Sequence, residues 1–329
     1  MKKLPRLKIA HLPTPVEALP RLSAELSGPR IYIKRDDQTG LALGGNKTRK
    51  IEYFMADAQS HGARTIITTG AAQSNHCRQV AAAAARLGYD CFLVLTGDSP
   101  KITSGNFLLD YLLGAEIVWT DVESRDQTLN DVFQDAWDRG RRPYLIPYGG
   151  SNPLGAAAYL AALQELDEQI KLGETPMTEH PDWIVFASSS GGTQAGLVLG
   201  ERFLNYDCKI LGISVDEPSN KLKHIVSRLA METAVFLGID IQVSEDEILV
   251  NSDYTGGGYG VLGEREKTAI KLFARTEGLL LDPVYTGRAA GGMIALIHSE
   301  YIGKDDSVLF WHTGGAPALF ADKYQDLAG

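Results

Sequence analysis

Cysteine is scarce in this chain of 329 residues: there are three, Cys77, Cys91 and Cys208. The number is odd and no pair has C-x-x-C spacing, so neither a disulfide framework nor a zinc ribbon is expected, and the thiols read as reduced. No run of about 18 apolar residues occurs, which leaves no candidate for a membrane span. The opening stretch MKKLPRLKIAHLPTP is basic but broken by prolines, without the apolar centre of a secretory signal. Positive charge is in deficit as well. Lys and Arg number 32 against 41 Asp and Glu, giving a formal net charge of -9. That balance argues against nucleic acid or an anionic membrane as partner and favours a small molecule. The histidines are scattered, with no H-x-H or H-E-x-x-H, so no metal site is expected. A G-x-S-x-G elbow is missing, and no G-x-G-x-x-G follows the first strand-like run, which disfavours a hydrolase and a dinucleotide-binding dehydrogenase. The expected compartment is the cytoplasm.

Glycine and apolar residues, by contrast, are plentiful. The chain has 34 glycines, several of them clustered in short loops, and 44% of its residues are hydrophobic. This length and apolar content suit two domains, each with its own core. β-Rich runs alternate with helix-like ones: RTIITTG, then RQVAAAAARLG; CFLVLTG, then FLLDYLLG; EIVWT; PYLIPYGG, then AAAYLAALQELDEQI; WIVFASS, then AGLVLGERFL; KILGISVD; and last SVLFWHTGG. Such alternation predicts parallel sheets built from strand–helix–strand units, which gather ligands at the carboxyl ends of their strands. Domain seams are expected near GGNKTRK and in QIKLGETPMTEHPD. The stretch EDEILVNSDYTGGGYGV reads as a long functional loop carrying Tyr254 and Tyr259.

Five places carry candidate chemistry. In SSSGGTQAG, Ser190, Gly191, Gly192 and Thr193 lie between a strand and a helix, where backbone N–H groups and hydroxyls make an anion cradle; a tight turn with a helix cap is the plainer reading. The sequence is not a Walker A loop, so a phosphate monoester fits better than a nucleoside triphosphate. In QSNHC, Ser74, Asn75 and His76 follow a strand; Ser74 reads as a proton carrier and Asn75 as a donor to a ligand, or both read as capping residues. Lys47 follows Gly44-Gly45, a turn that lets a ligand approach the backbone. It is either a solvated lysine or an amine kept neutral enough to attack a carbonyl. A phosphorylated aldehyde would unite Lys47 with the cradle, and pyridoxal 5'-phosphate is such a molecule. In DPVYTGRA, Tyr285 reads as a ring-stacking or proton-moving group, or as an aromatic at the core edge. In HTGG, the Thr313 hydroxyl is a candidate partner for a ring nitrogen.

Five segments in this order, KRDDQTGLALGGNKTRKIEY, TTGAAQSNH, SSSGGTQAGL, LDPVYTGRAAGGM and FWHTGGAPALF, resemble the family of D-cysteine desulfhydrases and 1-aminocyclopropane-1-carboxylate (ACC) deaminases. The resemblance runs from about Lys8 to about Phe320. It implies an α/β fold of two open, twisted, mainly parallel sheets like the tryptophan synthase β-subunit (PLP fold type II). The larger domain would comprise residues 1–50 and 165–329, the smaller one 51–164, with pyridoxal phosphate between them. It also implies a homodimer. Lys47 would form the Schiff base, and Ser190 to Thr193 would hold the phosphate, helped by Lys50. Asn75 would bond the phenolic oxygen of the cofactor. Ser74, Asn75, His76, Tyr259, Tyr285 and Thr286 would meet the substrate, with Lys47, Ser74 and Tyr285 catalytic. The deaminase branch resembles DPVYEG and HLGG; here Thr286 and Thr313 replace its glutamate and leucine. Both departures point to the desulfhydrase branch and so to α,β-elimination from D-cysteine. L-Cysteate, β-chloroalanine, D-serine and ACC are alternative substrates, and a non-catalytic pyridoxal-phosphate carrier is the alternative of another class.

Overall fold

The computed structural model describes residues 1–328. The larger sheet has six strands: β1 (Val16–Ala18), β2 (Arg30–Arg35), β7 (Trp183–Ser188), β8 (Lys209–Ser214), β9 (Leu249–Asn251) and β10 (Ser307–His312), in the order β1-β2-β10-β7-β8-β9. All neighbours are parallel except β1, which closes one edge antiparallel to β2. The smaller sheet is wholly parallel: β3 (Thr65–Ala71), β4 (Asp90–Thr96), β5 (Glu116–Thr120) and β6 (Pro143–Leu145), in the order β5-β4-β3-β6. Ten helices cover the sheets: α1 (Pro20–Glu25), α2 (Lys47–Ser60), α3 (Asn75–Leu87), α4 (Gly105–Leu112), α5 (Arg125–Asp138), α6 (Pro153–Lys171), α7 (Gly192–Leu204), α8 (Ser219–Leu237), α9 (Glu264–Glu277) and α10 (Thr286–His298). None is long and apolar enough to cross a membrane.

Local chemistry explains the boundaries. Ser74 caps α3 by accepting the Cys77 N–H, an alanine run fills the helix, and Gly88 ends it in the left-handed conformation. Asn152 caps α6 from Gly155 N, with Pro153 at the first helical position. The larger sheet is apolar on both faces, as a sheet between helix layers must be. One face packs Ile184, Phe186 and Trp311 against Tyr159, Leu163 and Leu197 from α6 and α7. The other packs Ile33, Val185 and Phe310 against Phe273 and Met293 from α9 and α10. The smaller sheet buries Ile66, Leu93 and Leu95 with Phe54, Val80 and Phe107.

Three expectations change. The stretch from Glu245 to Val261 is not one long loop, because Leu249–Asn251 adds β9 to the sheet edge beside β8. A boundary at 164/165 would cut α6, one unbroken helix whose Tyr159, Leu163 and Leu166 all enter the core of the larger sheet. We therefore place the second crossing between the two units at residues 146–152. Gly44 and Gly45 serve packing rather than ligand access: a Cβ on Gly44 would strike the Asp37 carbonyl, and one on Gly45 would strike the Gln79 amide.

A buried ion cluster ties the first turn of α2 to the larger unit. Asp36, fully buried after β2, accepts from Arg49 Nε (3.0 Å) and Nη2 (2.8 Å), Thr14 Oγ1 (3.0 Å), Tyr159 OH (2.6 Å) and Trp311 Nε1 (2.8 Å). Removing one partner of such a cluster strands the others and costs about 3–5 kcal/mol. Asp36→Ala should lower the urea midpoint accordingly, and Asp36→Asn should fall between it and the parent. A midpoint within experimental error of the parent for Asp36→Ala would show that the cluster contributes nothing to stability.

Candidate active site

The loops after β3, β6, β7 and β10 converge on one cavity. Lys47 reaches it as the first residue of α2, held there by two anchors. The N–H of the preceding Asn46 donates to the Thr313 carbonyl (3.0 Å), and Arg49 is tied to Asp36 one turn further on. The Lys47 amine donates to the Gly149 carbonyl at 3.1 Å and faces no carboxylate in the cavity wall. Burial alone pulls its pKa down to about 8, so a substantial neutral fraction exists near neutrality.

Lys50 lies one turn along the same face of α2 and also points at the Gly149 carbonyl (3.3 Å). It is 1% exposed, and burial together with Lys47 holds it well below its ordinary value. A buried amine with a single carbonyl for company needs an anion. The space beside it has the form of an anion site: a Cβ on Gly192 would lie 2.9 Å from Lys50 Nζ and 2.6 Å from Ser151 Oγ. Gly191, at φ 78°, turns the chain so that α7 begins there, and its first N–H groups open onto the cradle. Ser151 donates to Ser190 (2.8 Å), and Asn46 donates to Thr193 (3.2 Å). This donor set fits a phosphate, with Lys50, Ser151, Ser190 and the start of α7 to hold it, and Lys47 placed for an aldehyde on the same molecule.

The other expected residues divide. Ser74, Asn75, His76, Tyr285 and Thr313 all line the cavity. Ser74 is a helix cap and a cavity residue at once, so its two readings do not compete. His76 is kept neutral by burial and by the two lysines, and its Nε2 meets Thr68 Oγ1 at 2.9 Å. Tyr259 stands behind Tyr285, with the two hydroxyls 2.8 Å apart. Burial raises both phenols, so both stay protonated. The glycine-rich segment bearing Tyr259 is fixed by Arg288, which pairs with Glu266 (2.7 Å) and donates to the Gly258 and Val261 carbonyls. Thr286 is not brought to the cavity. It is fully buried, donates to Asp282 Oδ1 (2.7 Å) and accepts the Asp282 N–H (2.7 Å), closing the start of α10. Tyr148 and Ser151 were missed; the PYGGSN stretch that carries them offered only a strand end and a turn as its signal.

The lysine pair makes a direct prediction. Cofactor-free protein should take up pyridoxal phosphate faster as pH rises toward about 8 and level off above, because the neutral Lys47 amine is the reacting form. Lys50→Met should weaken retention of the cofactor roughly 10- to 100-fold, the worth of one or two charge-assisted hydrogen bonds. Unchanged cofactor affinity in Lys50→Met would remove Lys50 from the phosphate site.

Comparison with known proteins points to the same cofactor. The family model for pyridoxal-phosphate dependent enzymes matches residues 7–314. A D-cysteine desulfhydrase of Klebsiella pneumoniae is 42% identical over 328 residues, 98% of this chain and 97% of the relative. One of Salmonella paratyphi A is 42% identical over 332 residues, with the same coverage. The crystal structure of an ACC deaminase homologue superposes with a TM-score of 0.89 at 37% identity, covering 99% of this chain and 97% of the other. The chain is thus a member of the pyridoxal-phosphate dependent enzyme family.

Proposed function

We propose that the protein converts D-cysteine and water to pyruvate, hydrogen sulfide and ammonia by α,β-elimination. The observation that carries this reading is the absence of any carboxylate from the cavity wall among the described residues. A carboxylate facing the ring nitrogen would keep it protonated and make the strongest electron sink. The Thr313 hydroxyl is a neutral partner, sufficient where the leaving group is a thiolate and poor for opening a cyclopropane. The two desulfhydrase relatives support the same choice.

Pyridoxal phosphate, when bound, supplies the delocalisation that makes loss of the α-proton possible. The chain's own groups then have separate tasks. The Lys47 amine, near-neutral through burial, removes the α-proton at Nζ. The N-terminus of α3 offers its first N–H groups, with the Ser74 hydroxyl beside them, to the substrate carboxylate. Asn75 would donate to the phenolic oxygen, and Thr313 would meet the ring nitrogen. Tyr259 and Tyr285 share one hydrogen bond between two hydroxyls. If Tyr259 donates it, the Tyr285 hydrogen is left for the departing sulfur. Orientation by the two anion sites fixes which bond at Cα breaks. On the family resemblance we take the enzyme to be a homodimer, and on the sequence we place it in the cytoplasm.

The test is product analysis with cofactor-loaded protein given D-cysteine, L-cysteine, L-cysteate and ACC separately. Pyruvate with sulfide from D-cysteine alone is expected, and Tyr285→Phe should lower kcat by roughly 10²- to 10⁴-fold, the range for a lost general acid. 2-Oxobutyrate from ACC would overturn the substrate assignment, and so would sulfite from L-cysteate.

A further inference from the structure

The amide of Asn75 can point either way in principle: it has a donor end and an acceptor end of the same shape. Its polarity here is dictated from outside the cavity. Asn106, at the start of α4 and fully buried, donates from Nδ2 to the Gln73 carbonyl (2.9 Å) and to Asn75 Oδ1 (2.8 Å). A backbone carbonyl only accepts, so the first bond fixes Asn106 with its NH2 toward residues 73–75. The second hydrogen of that NH2 then requires an acceptor on Asn75, which is Oδ1. Arg78, which has only donors, adds Nη2 to the same oxygen at 3.5 Å. Turning the Asn75 amide over would put its NH2 against two donors. Asn106 is itself clamped, because its N–H donates to Gln73 Oε1 (2.8 Å) and Gln73 Nε2 donates to the Ser104 carbonyl (2.9 Å).

We propose that Asn106 is a positioning residue that sets the polarity of Asn75, so that Asn75 presents its NH2, and not its carbonyl, to the phenolic oxygen of the cofactor. Nothing in the cavity wall is needed to enforce this. The order runs from a main-chain carbonyl to Asn106 to Asn75, with Arg78 as a second donor on the same oxygen. The inference rests on the cofactor site and is independent of which amino acid is turned over, so failure of the D-cysteine assay would leave it standing.

The readout is the pH titration of the visible absorption of the bound cofactor. A donor to the phenolic oxygen stabilises its anion, so losing the donor moves the midpoint upward, by about one pH unit for a charge-assisted bond. Asn75→Ala gives the full shift. Asn106→Ala should shift part of the way, since Arg78 still favours the correct orientation. Asn106→Asp should shift further, because its carboxylate attracts the Asn75 NH2 and turns the Asn75 carbonyl to the cavity. In the Asn75→Ala background, neither change at residue 106 should move the midpoint again. Thermal melts of each variant identify any that fails to fold, and the Ala and Asp variants guard each other. An unmoved midpoint in folded Asn106→Ala and Asn106→Asp overturns the proposal. So does a further shift on the Asn75→Ala background, which would show that residue 106 acts independently of Asn75.

Discussion

The Asp36 carboxylate is the point on which the arrangement hangs. Its burial would by itself raise its pKa, but the Arg49 guanidinium, the Tyr159 hydroxyl and the Lys34 amine together more than offset this and hold it below the usual carboxylate range. A full negative charge therefore sits among groups that the chain brings from far apart. Thr14 comes from the N-terminal segment, Arg49 from α2, Tyr159 from α6 and Trp311 from β10. Glu165 extends the cluster by pairing with Arg49 and with buried Lys34. A charge in a medium of low polarity tolerates little displacement of its partners. Three of those partners are linked along the chain to cavity groups. Arg49 is two positions after Lys47, Trp311 is two before Thr313, and α6 begins just after Gly149 and Ser151. The core cluster and the site are one construction.

Lys47 and Lys50 show what that rigidity is for. Two amines one turn apart are both aimed at one carbonyl and both poorly solvated, and Lys50 also feels the charge of Lys47, so both are held below the ordinary lysine value. A phosphate carries close to two negative charges at neutral pH. Delivered to the start of α7, it would lie beside Lys50 and restore the charge there. Lys47 would keep the desolvation that suits a nucleophile and a base. The same pair of residues could thus supply a cation and a neutral amine, with the difference set by where the anion lands.

The strand–helix alternation was legible because each buried parallel strand is a short apolar β-rich run and each following helix has its own cap, as Ser74 and Gly88 show for α3. β9 escaped notice because Leu249–Asn251 is three residues long and half-buried at a sheet edge. Lys47, Asn75 and the Ser190–Thr193 turn could be singled out because each stands where a turn opens a helix, and Lys47, Asn75, Ser190, Gly191 and Thr193 line one cavity. Thr286 was misplaced for a physical reason: as the residue after Tyr285 it inherits that residue's prominence, yet the helix it begins turns its side chain back to Asp282. Asn106 gave no sign at all. Its importance depends on contact with residues 73–75, about thirty positions away, and no local pattern encodes that meeting.

The acidity of the chain and the character of its cavity seem opposed until their locations are compared. A net charge of -9 belongs mostly to the solvated surface. The cavity wall has two lysines at or behind it, no carboxylate among the described residues, and two helix N-termini opening onto it, α3 and α7. Both helices follow a parallel strand and a short turn that carries serine. One is suited to a phosphate and the other to a carboxylate, because the first turn of any helix presents unpaired N–H groups to an anion. Parallel sheets necessarily put such helix starts at the carboxyl edge of the strands. Two such helix starts open onto this one cavity, so it offers two places for an anion. An amino acid bound with pyridoxal phosphate would have its carboxylate at one and the phosphate at the other, which would leave its reacting carbon to Lys47.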